Sequence, residues 1–322
     1  MEKGDLYSVL PSCLKEIPLP ASPAYRLIHG KVRDIVDNGQ ELFIVTTDRI
    51  SAFDRVLSTI PCKGEVLNTI SLFWFENTRD ILNNHVLEQV TARTVRTRRC
   101  AVLPVEVVVR GYLTGSAWRD YQSTGSVSGI SLPPGMRPGQ KFPEPLLTPS
   151  TKEEQGAHDK PVSRQEILDS GIVPGKTWEQ IEEAALALFS RGTQIAAARG
   201  LILVDTKYEF GQADGCLYLI DEVHTPDSSR YWYADTYQEL FSRGENQREL
   251  DKEYLRRWLL SRGWKGDGTP PPIPDEIRVE VGWKYVTAWE TVTGRSFLPK
   301  SQAAEEEARR VSGRVLSTRP QT

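Results

Sequence analysis

The sequence predicts a globular protein of mixed helices and strands, organised as two domains. The length of 322 residues is the first observation, because a single domain of ordinary size is about half as long. The second is a β-hairpin pattern: residues 201–210 alternate apolar and polar side chains, residues 216–223 are rich in β-forming side chains, and a glycine-rich turn joins them. The third is a helical pattern over residues 177–199, where apolar side chains recur at helical spacing until Gly200.

The composition is that of a soluble globular protein and excludes several functional classes. The chain is 39% hydrophobic and 26% charged, and its formal net charge of −3 gives no basic surface for nucleic acid. The four cysteines form no C-x-x-C pair, which argues against a thiolate zinc site. The N-terminus lacks a signal-peptide core, and no apolar run reaches the ~20 residues of a membrane span. We therefore expect a cytoplasmic protein with no nucleic-acid partner and no membrane partner.

The first third of the chain is predicted to be rich in strands. Residues 25–36 and 41–48 read as strand, turn and strand, with Gly30 and Lys31 in the middle of the first strand. A glycine inside a strand often marks close approach of the backbone to a ligand, and a neighbouring lysine can reach phosphates. The segment is not a P-loop motif, so this pattern alone leaves phosphate binding open. Further predicted elements are a loop over 60–69, a helix over 70–77, and strands over 86–95 and 105–110.

The predicted strand over residues 105–110 leads into a Thr-Gly-Ser turn that opens a helix near 117–123. Gly115 and Ser116 at this helix N-terminus offer backbone N–H groups and a hydroxyl to an anion. Arg110, at the end of the strand, can add a bidentate contact. A plain helix cap is the alternative interpretation.

Two further segments are predicted to be loops. Residues 125–149 are rich in proline and glycine, and residues 225–230 form a turn whose hydroxyls and Arg230 are suited to gripping an anion. The remaining predictions are helices over 237–241, 252–262 and 274–294, and a frayed, charged tail over 303–322.

Carboxylates and a lysine gather on the predicted hairpin. Every second side chain of a strand faces the same way, so Asp205, Lys207 and Glu209 share one face. The second strand brings either Asp221 or Glu222 beside them, and strand register decides which. One or two carboxylates are what Mg²⁺ takes when it also holds nucleotide phosphates. A surface hairpin with cross-strand ion pairs is the alternative interpretation.

Several of these segments together resemble one family. The sequence VEVVVRGYLTGS at residues 105–116 is similar to the first signature of phosphoribosylaminoimidazole-succinocarboxamide synthase, or SAICAR synthetase, and LVDTKYEFG at residues 203–211 is similar to the second. Further segments are similar to the same family: GKVRD at 30–34, TDRISAFD at 47–54, Lys152 with His158 and Asp159, and residues 221–230. The segment DKEYLRRWL at 251–259 resembles the long, yeast-type form. The resemblance spans roughly residues 20–295 in chain order, which makes the set of motifs specific.

This resemblance implies an α+β fold. A small, kinase-like antiparallel β lobe would pack on a larger lobe of sheet and helices, with ATP in the cleft between them. The expected domains are a nucleotide-binding lobe over residues 1–110, a substrate and metal lobe over 111–295, and a charged C-terminal tail over 296–322. The implied reaction joins carboxyaminoimidazole ribonucleotide (CAIR) and L-aspartate, using ATP and Mg²⁺, to give SAICAR, ADP and phosphate in purine biosynthesis.

The resemblance also implies roles for individual residues. The implied ATP-binding residues are Gly30, Lys31, Val32, Arg33, Glu209 and Asp221. The implied Mg²⁺ ligands are Glu209 and Asp221, and the implied catalytic residues are Lys207, Glu209 and Asp221. The implied CAIR contacts are Arg110, Ser116, Lys152, Asp159 and Arg230. The expected L-aspartate contacts are Asp48, Arg49, Ser51 and Lys63.

Other functions share part of this pattern. A kinase or another ATP-dependent ligase would use the same ATP grip on a different acid, but Arg110, Ser116 and Arg230 imply a second phosphate site. A catalytically silent nucleotide-binding regulator would be expected to lack Glu209 or Asp221. A purely structural protein would not need so many polar residues at strand ends. The sequence leaves the oligomeric state open between a monomer and a small homo-oligomer.

Overall fold

The computed structural model describes residues 1–152, 160–250, 253–300 and 303–318. Its α-helices are α1 (Leu6–Val9), α2 (Lys63–Thr78), α3 (Gly115–Thr124), α4 (Arg164–Ser170), α5 (Gly175–Ala197), α6 (Ala234–Arg243), α7 (Glu253–Ser261), α8 (Asp275–Thr293) and α9 (Ala304–Ser317). Its strands are β1 (Arg26–His29), β2 (Arg33–Asp37), β3 (Glu41–Thr46), β4 (Arg49–Ala52), β5 (Arg55–Thr59), β6 (Val86–Gln89), β7 (Thr94–Arg98), β8 (Ala101–Tyr112), β9 (Ser126–Val127), β10 (Ile130–Ser131), β11 (Lys141–Thr151), β12 (Lys160–Pro161), β13 (Leu201–Ala213), β14 (Cys216–Ile220) and β15 (Ser229–Tyr233). Within these described ranges, no helix combines the length and the apolar character needed to cross a membrane.

These elements fall into two compact units. The first comprises Met1–Phe73, His85–Arg99 and Asp251–Thr322, and the second comprises Trp74–Asn84 and Cys100–Leu250. The units divide the chain elsewhere than at the expected boundaries of 110 and 295. The reason is that β8 pairs with strands of the second unit, whereas α7, α8 and α9 pack within the first. The fold is mixed α/β with antiparallel sheets.

The first unit contains a five-stranded antiparallel sheet in the order β1-β2-β3-β7-β6, and a separate hairpin of β4 and β5. Val36, Phe43 and Val45 of the sheet are buried in one cluster with Val311 and Val315 of α9. A second apolar cluster joins residues of α2, α7 and α8. Helix α9 therefore completes the core of the five-stranded sheet.

The second unit is built on a six-stranded antiparallel sheet. Its order is β12-β11-β8-β13-β14, and β15 also pairs with β13. Helix α5 packs against β13, and its Phe189 ring lies against Gly111 of β8. The buried Ile181 and Leu188 of α5 belong to this apolar side of the sheet. Since one face is covered by a helix, the polar side chains of the strands lie on the other face.

Several predicted elements are confirmed. The hairpin at residues 201–223 is β13 and β14, and its turn uses Asp214 and Gly215, which both have positive φ. The long helix predicted over 177–199 is α5. The helices predicted over 117–123, 237–241, 252–262 and 274–294 correspond to α3, α6, α7 and α8.

The predicted single strand over residues 25–36 is wrong. This segment is an antiparallel hairpin of β1 and β2, and the Gly30 N–H closes it by donating to the Arg33 carbonyl at 2.8 Å. Gly30 and Lys31 therefore lie in a turn. No glycine of this turn has a left-handed backbone conformation that would mark it. The alternation of apolar residues on both sides therefore predicts one continuous strand.

The predicted loop at 60–69 and the predicted strand at 86–95 are also wrong. Helix α2 already begins at Lys63, where the Asp48 carboxylate accepts a hydrogen bond from the Gly64 N–H at 2.8 Å. This distant carboxylate stabilises the helix start. The second segment folds back on itself as the antiparallel strands β6 and β7.

The proline-rich segment 125–149, predicted to be a loop, ends in strand β11. The register of β11 against β8 is irregular between Lys141 and Leu146, so the prolines there break no regular pairing. The carbonyl of Pro149 accepts from the Val162 N–H, on the side of β12. The backbone nitrogen and carbonyl of one residue point to the same side of a strand, so the nitrogen of Pro149 also faces β12. The pairing with β8 therefore loses no hydrogen bond at this proline.

The prediction of a frayed tail over residues 303–322 is wrong for the part that forms α9. Val311 and Val315 of this helix are fully buried. Glu307 is 1% exposed, and its carboxylate accepts hydrogen bonds from the hydroxyls of Thr91 and Thr94. The segment is mostly charged, but Val311 and Val315 form a short apolar stripe on α9 that packs within the first unit.

Candidate active site

One face of the six-stranded sheet is lined by charged side chains. Strand register places Arg110 of β8 opposite Asp205 of β13, and Glu106 opposite Glu209. Residues opposite each other in a strand pair point to the same face, as do alternate residues along a strand. Lys207 therefore lies on this face between the two pairs. Val107 and Val109 of β8 point to the apolar side and are fully buried, whereas Val108 lies on the charged face opposite Lys207.

At one end of this face, two arginines converge on one carboxylate. Arg110 Nη1 and Arg230 Nη2 lie 3.3 and 3.1 Å from Asp205 Oδ2. Arg110 also donates to Ser116 Oγ at 3.2 Å and to Thr148 Oγ1 at 2.9 Å. Two guanidinium groups and one carboxylate leave a net positive charge beside the first turn of α3. This arrangement suits an anion such as a phosphate monoester, and it brings three predicted CAIR contacts together.

Gly115 allows the guanidinium of Arg230 to lie against the start of α3. Its φ is +60°, and a Cβ at this position would lie 2.5 Å from Arg230 Nη1. The position therefore requires glycine both for its left-handed backbone and for the close approach of the arginine. Burial lowers the pKa of Arg110, Asp205 opposes that effect, and Arg230 adds to it. A bound anion would relieve the repulsion between the two arginines.

Lysines and carboxylates form a second cluster farther along β13. Lys207 Nζ donates to Glu106 Oε1 at 3.0 Å and to Glu209, and Lys152 Nζ contacts the other oxygen of Glu209. Burial raises the pKa of Glu209, but Lys207 and Lys152 outweigh it and lower that pKa to about 2. Burial lowers the pKa of Lys207, but Glu209, Asp221 and Glu106 outweigh it and raise that pKa above its usual value. Glu209 and Lys207 therefore stay charged at neutral pH.

Of Asp221 and Glu222, Asp221 is the one whose charge raises the pKa of Lys207 in this cluster. Asp221 directly follows β14 with a φ of +66°, a conformation that aspartate tolerates better than most residues, and its charge acts on Lys207. Glu222 instead accepts a hydrogen bond from Thr225 Oγ1 at 2.8 Å.

The carboxylates of Glu209 and Asp221 fit Mg²⁺, because hard oxygen donors are the ligands that this ion prefers. Across the described ranges of the chain, no group of three or more His, Cys, Asp or Glu side chains could hold a metal ion. A pair of carboxylates is nevertheless the set that serves a Mg²⁺ ion also bound by nucleotide phosphates.

The predicted ATP-binding segment is the turn between β1 and β2 in the first unit. Lys31 Nζ lies 2.6 Å from Asp54 Oδ1, and both side chains are exposed. Phe53 and Asp54 form the turn between β4 and β5, with φ values of 50° and 59°. A cavity of about 210 Å³ is lined by Lys31, Ile50, Ser51, Ala52, Phe53, Asp54, Leu255 and Arg256. Its charges of both signs suit a polar ligand.

The residues predicted to contact L-aspartate have different environments. Asp48 is 1% exposed, and its carboxylate accepts from Arg93 Nη1 at 2.9 Å and from two backbone N–H groups. Arg49 is buried, and its guanidinium bonds to protein groups. Lys63 is fully buried, with its ammonium 5.5 Å from the centre of an aromatic ring. Of these four, Ser51 borders the cavity.

The geometry adds residues to the predicted set. Glu106 and Asp205 lie within the two signatures. Alternation placed Asp205 on the charged face but gave it no role, and period-two alternation with Arg110 is the signal that could have found Glu106. Asp34 and Thr47 support the β1–β2 turn. They lie in the segments GKVRD and TDRISAFD, but no local pattern shows this role, because it depends on contacts between separate segments. Asp159, predicted to meet CAIR, and His158 lie outside the described residues.

Comparisons with known proteins identify relatives of this chain. A profile of the SAICAR synthetase family matches residues 26–271. The phosphoribosylaminoimidazole-succinocarboxamide synthase of Bacteroides thetaiotaomicron is 49% identical over 275 residues, which cover 84% of this chain and 88% of that protein. The enzyme of the same name from Legionella pneumophila is 44% identical over 297 residues, covering 90% and 93%.

A solved structure is similar as well. The SAICAR synthase of Saccharomyces cerevisiae, complexed with SAICAR, has a TM-score of 0.78 and 33% sequence identity, covering 88% of this chain and 100% of that chain. The long, yeast-type resemblance of the sequence is thereby confirmed. The chain belongs to the SAICAR synthetase family.

Proposed function

We propose that this chain joins CAIR and L-aspartate, using ATP, to give SAICAR, ADP and phosphate in purine biosynthesis. One observation carries the proposal: β13 holds the two-arginine cluster at Asp205 and the lysine–carboxylate cluster at Glu209 on the same face. At a rise of about 3.3 Å per residue, these positions lie about 13 Å apart. A ribonucleotide along β13 would put its 5′-phosphate on the arginines and its base carboxylate beside Glu209. Family membership supports the same substrate, and the SAICAR bound to the yeast relative is the product of this reaction.

The reaction chemistry explains the need for such a site. A carboxylate is a poor acyl donor, because oxide would have to leave. Transfer of the γ-phosphoryl group of ATP to the CAIR carboxylate gives an acyl phosphate and ADP. Attack by the aspartate amine then forms the amide bond, breaks the bond to phosphate and releases phosphate. Several anionic groups must meet, so positioning and electrostatic stabilisation supply most of the catalysis.

We assign the CAIR 5′-phosphate to Arg110, Ser116 and Arg230. Lys207 and Lys152 are assigned to the reacting end of CAIR, where ammonium groups can neutralise the phosphoryl group in transfer. Asp159 is assigned to the imidazole or ribose of CAIR.

We assign Mg²⁺ to Glu209 and Asp221; when bound, the ion would neutralise phosphate oxygens and the CAIR carboxylate. The ATP phosphates are assigned to the turn of Gly30, Lys31, Val32 and Arg33. Ser51 is assigned to L-aspartate, since it borders the cavity beside this turn.

The wider arrangement belongs to the same proposal. A nucleotide-binding role is assigned to the first unit, and a substrate and metal role to the second. The kinase-like β lobe and the ATP cleft between lobes stay predictions from the family resemblance. A cytoplasmic location and a monomeric or small homo-oligomeric state also stay predictions.

The test is a turnover assay with Mg²⁺, ATP and CAIR, with and without L-aspartate, that records ADP release and product mass. We expect a product of SAICAR mass, with ADP, only when all three substrates are present. Tight ATP binding without turnover would refute the assignment of CAIR and aspartate. It would favour a kinase or ligase that acts on a different acid.

A further inference from the structure

Arg49 is buried beneath the β1–β2 turn, and its guanidinium bonds to the backbone of that turn. Nη2 donates to the Gly30 carbonyl at 2.9 Å, and Nε donates to the Lys31 carbonyl at 3.1 Å. Thr47 extends the pattern, because its hydroxyl donates to the Val32 carbonyl at 2.7 Å. Three successive carbonyls of the turn are therefore held from the protein side.

Asp34 holds Arg49 in place. Its Oδ1 lies 2.9 Å from Arg49 Nη2 and 3.0 Å from His29 Nδ1, and its Oδ2 accepts from the Ile17 N–H at 2.8 Å. Asp34 is fully buried, and Arg49 Nη1 donates to the Lys15 carbonyl as well. A planar guanidinium with a carboxylate and three carbonyls around it has little freedom to move. The pair therefore forms a rigid base under the turn.

The held carbonyls determine where the N–H groups of the turn point. In a planar trans peptide the C=O and the N–H point in opposite directions, and the described residues contain no cis peptide bond. With the carbonyls of Gly30 and Lys31 held inward, the N–H groups of Lys31 and Val32 point outward. Successive N–H groups aimed the same way form a concavity that attracts an anion. The exposed ammonium of Lys31 belongs to the same turn.

We infer that Arg49 is a positioning residue for the nucleotide phosphates: it fixes the carbonyls of the β1–β2 turn so that the amides of Lys31 and Val32 face the phosphate oxygens. This inference rests on the proposed use of the turn for ATP. It gives Arg49 a role other than the predicted contact with L-aspartate. Lysine could not replace it, because one ammonium cannot reproduce a planar fork that spans two carbonyls and a carboxylate.

The matched control is Arg93, which forms another buried Arg–Asp pair of the first unit. Arg93 Nη1 lies 2.9 Å from Asp48 Oδ2, and both side chains are almost fully buried. Asp48 also accepts from the N–H groups of Leu14 and Gly64, neither of which is in the turn. Comparing Arg49→Lys with Arg93→Lys therefore separates loss of turn geometry from loss of a buried ion pair.

The experiment uses the full chain and measures the Kd of ADP and of adenosine by calorimetry, with the KM of ATP and of CAIR. Arg49→Lys is expected to weaken ADP binding by about tenfold to a hundredfold, the usual effect of losing one or two charge-assisted hydrogen bonds. Its adenosine affinity and CAIR KM should stay at the wild-type values. Arg93→Lys should lower Tm but keep the wild-type ratio of ADP to adenosine affinity.

Three results would overturn the inference: unchanged ADP affinity in Arg49→Lys, equal losses for ADP and adenosine, or the same selective loss in Arg93→Lys. If Arg49→Lys does not fold, Asp34→Asn removes the carboxylate charge that holds Arg49 and should weaken ADP binding selectively; an unchanged ADP-to-adenosine ratio in it would also overturn the inference. A wild-type protein that binds ADP but makes no SAICAR would refute the proposed function, and the affinity comparison would still decide the role of Arg49.

Discussion

The two candidate phosphate sites use arginine in opposite ways. In the second unit, Arg110 and Arg230 share the carboxylate of Asp205 and keep a net positive charge for a ligand. In the first unit, Arg49 turns its guanidinium onto the carbonyls of Gly30 and Lys31. The exposed fractions of the Arg110 and Arg49 side chains, 12% and 9%, do not separate the two cases. The hydrogen-bond partners distinguish them: a shared carboxylate for Arg110 and backbone carbonyls for Arg49.

The difference shows that the charge balance of an arginine reveals its role. Asp34 neutralises Arg49, so the positive charge of its site comes from Lys31 and the turn amides. Two arginines share Asp205, so guanidinium groups themselves can bind the anion. An arginine whose donors end on carbonyls supports the backbone, whereas one that shares a carboxylate can serve as a ligand.

Glu209→Gln should have the largest effect on turnover, because Glu209 lies where the CAIR carboxylate is proposed to react. It removes a proposed Mg²⁺ ligand and the counter-charge of Lys207 and Lys152, so turnover should fall below detection while circular dichroism shows a folded protein. Glu106→Gln is the control, because it removes a contact to the same lysine from the neighbouring strand and should keep measurable turnover. Near-normal activity of Glu209→Gln would remove Glu209 from the metal site.

Arg110→Ala should come next and tests the arginine of the second unit as a ligand. Truncating one partner of a buried charged contact costs roughly 2–5 kcal/mol, which corresponds to a rise in the CAIR KM of about 30-fold or more. The ATP KM should change little, and steady-state kinetics with each substrate varied in turn will measure both. Arg164→Ala, which removes an exposed arginine of α4 in the same unit, is the matched control. An unchanged CAIR KM would show that Arg110 does not hold the phosphate.

Two glycine substitutions test the same difference between the two phosphate sites, with smaller expected effects. Gly115→Ala forces a left-handed alanine, which costs about 1–2 kcal/mol, and displaces Arg230, so it should raise the CAIR KM. At Gly30 an added Cβ would meet the Arg33 carbonyl at 2.9 Å, so Gly30→Ala should shift the turn and raise the ATP KM instead.

Gly125→Ala is the control for the strain in the first of these variants. Gly125 ends the same helix with φ +71° and open space around it, so its substitution should lower Tm without changing the CAIR KM. If Gly115→Ala and Gly30→Ala raise the same KM, the two sites do not serve different substrates.

The smallest expected effect is a pH dependence of stability in the second unit. The pKa of Glu209 is lowered to about 2 in the folded protein, below its usual value of 4.5. Its contribution is therefore fully present above pH about 4.5 and is lost as pH falls towards about 2. Urea unfolding at pH 6 and pH 3 should show a smaller free-energy difference between wild type and Glu209→Gln at pH 3. An equal difference at both values would show that the lysines do not hold this carboxylate ionised.

The polar face of the second unit could be predicted from the sequence, because strand alternation places Asp205, Lys207 and Glu209 on one side. The choice between Asp221 and Glu222 could not, because it depends on where β14 ends and on a left-handed residue after it. The sequence predicts a strand at Gly30 where the structure has a turn, because the turn is closed by a hydrogen bond and has no glycine-specific backbone conformation to mark it.

By itself, the sequence determined the family, the hairpin, the long helix α5 and the types of charged side chain available to the site. These features are local, since they depend on the spacing of residues along one segment. The tertiary structure decided that Arg49 supports a turn, that α9 docks as a helix and that β8 belongs to the second unit. Each of these depends on hydrogen bonds or apolar contacts between segments far apart in the chain, and the pattern of a single segment does not encode its distant partner.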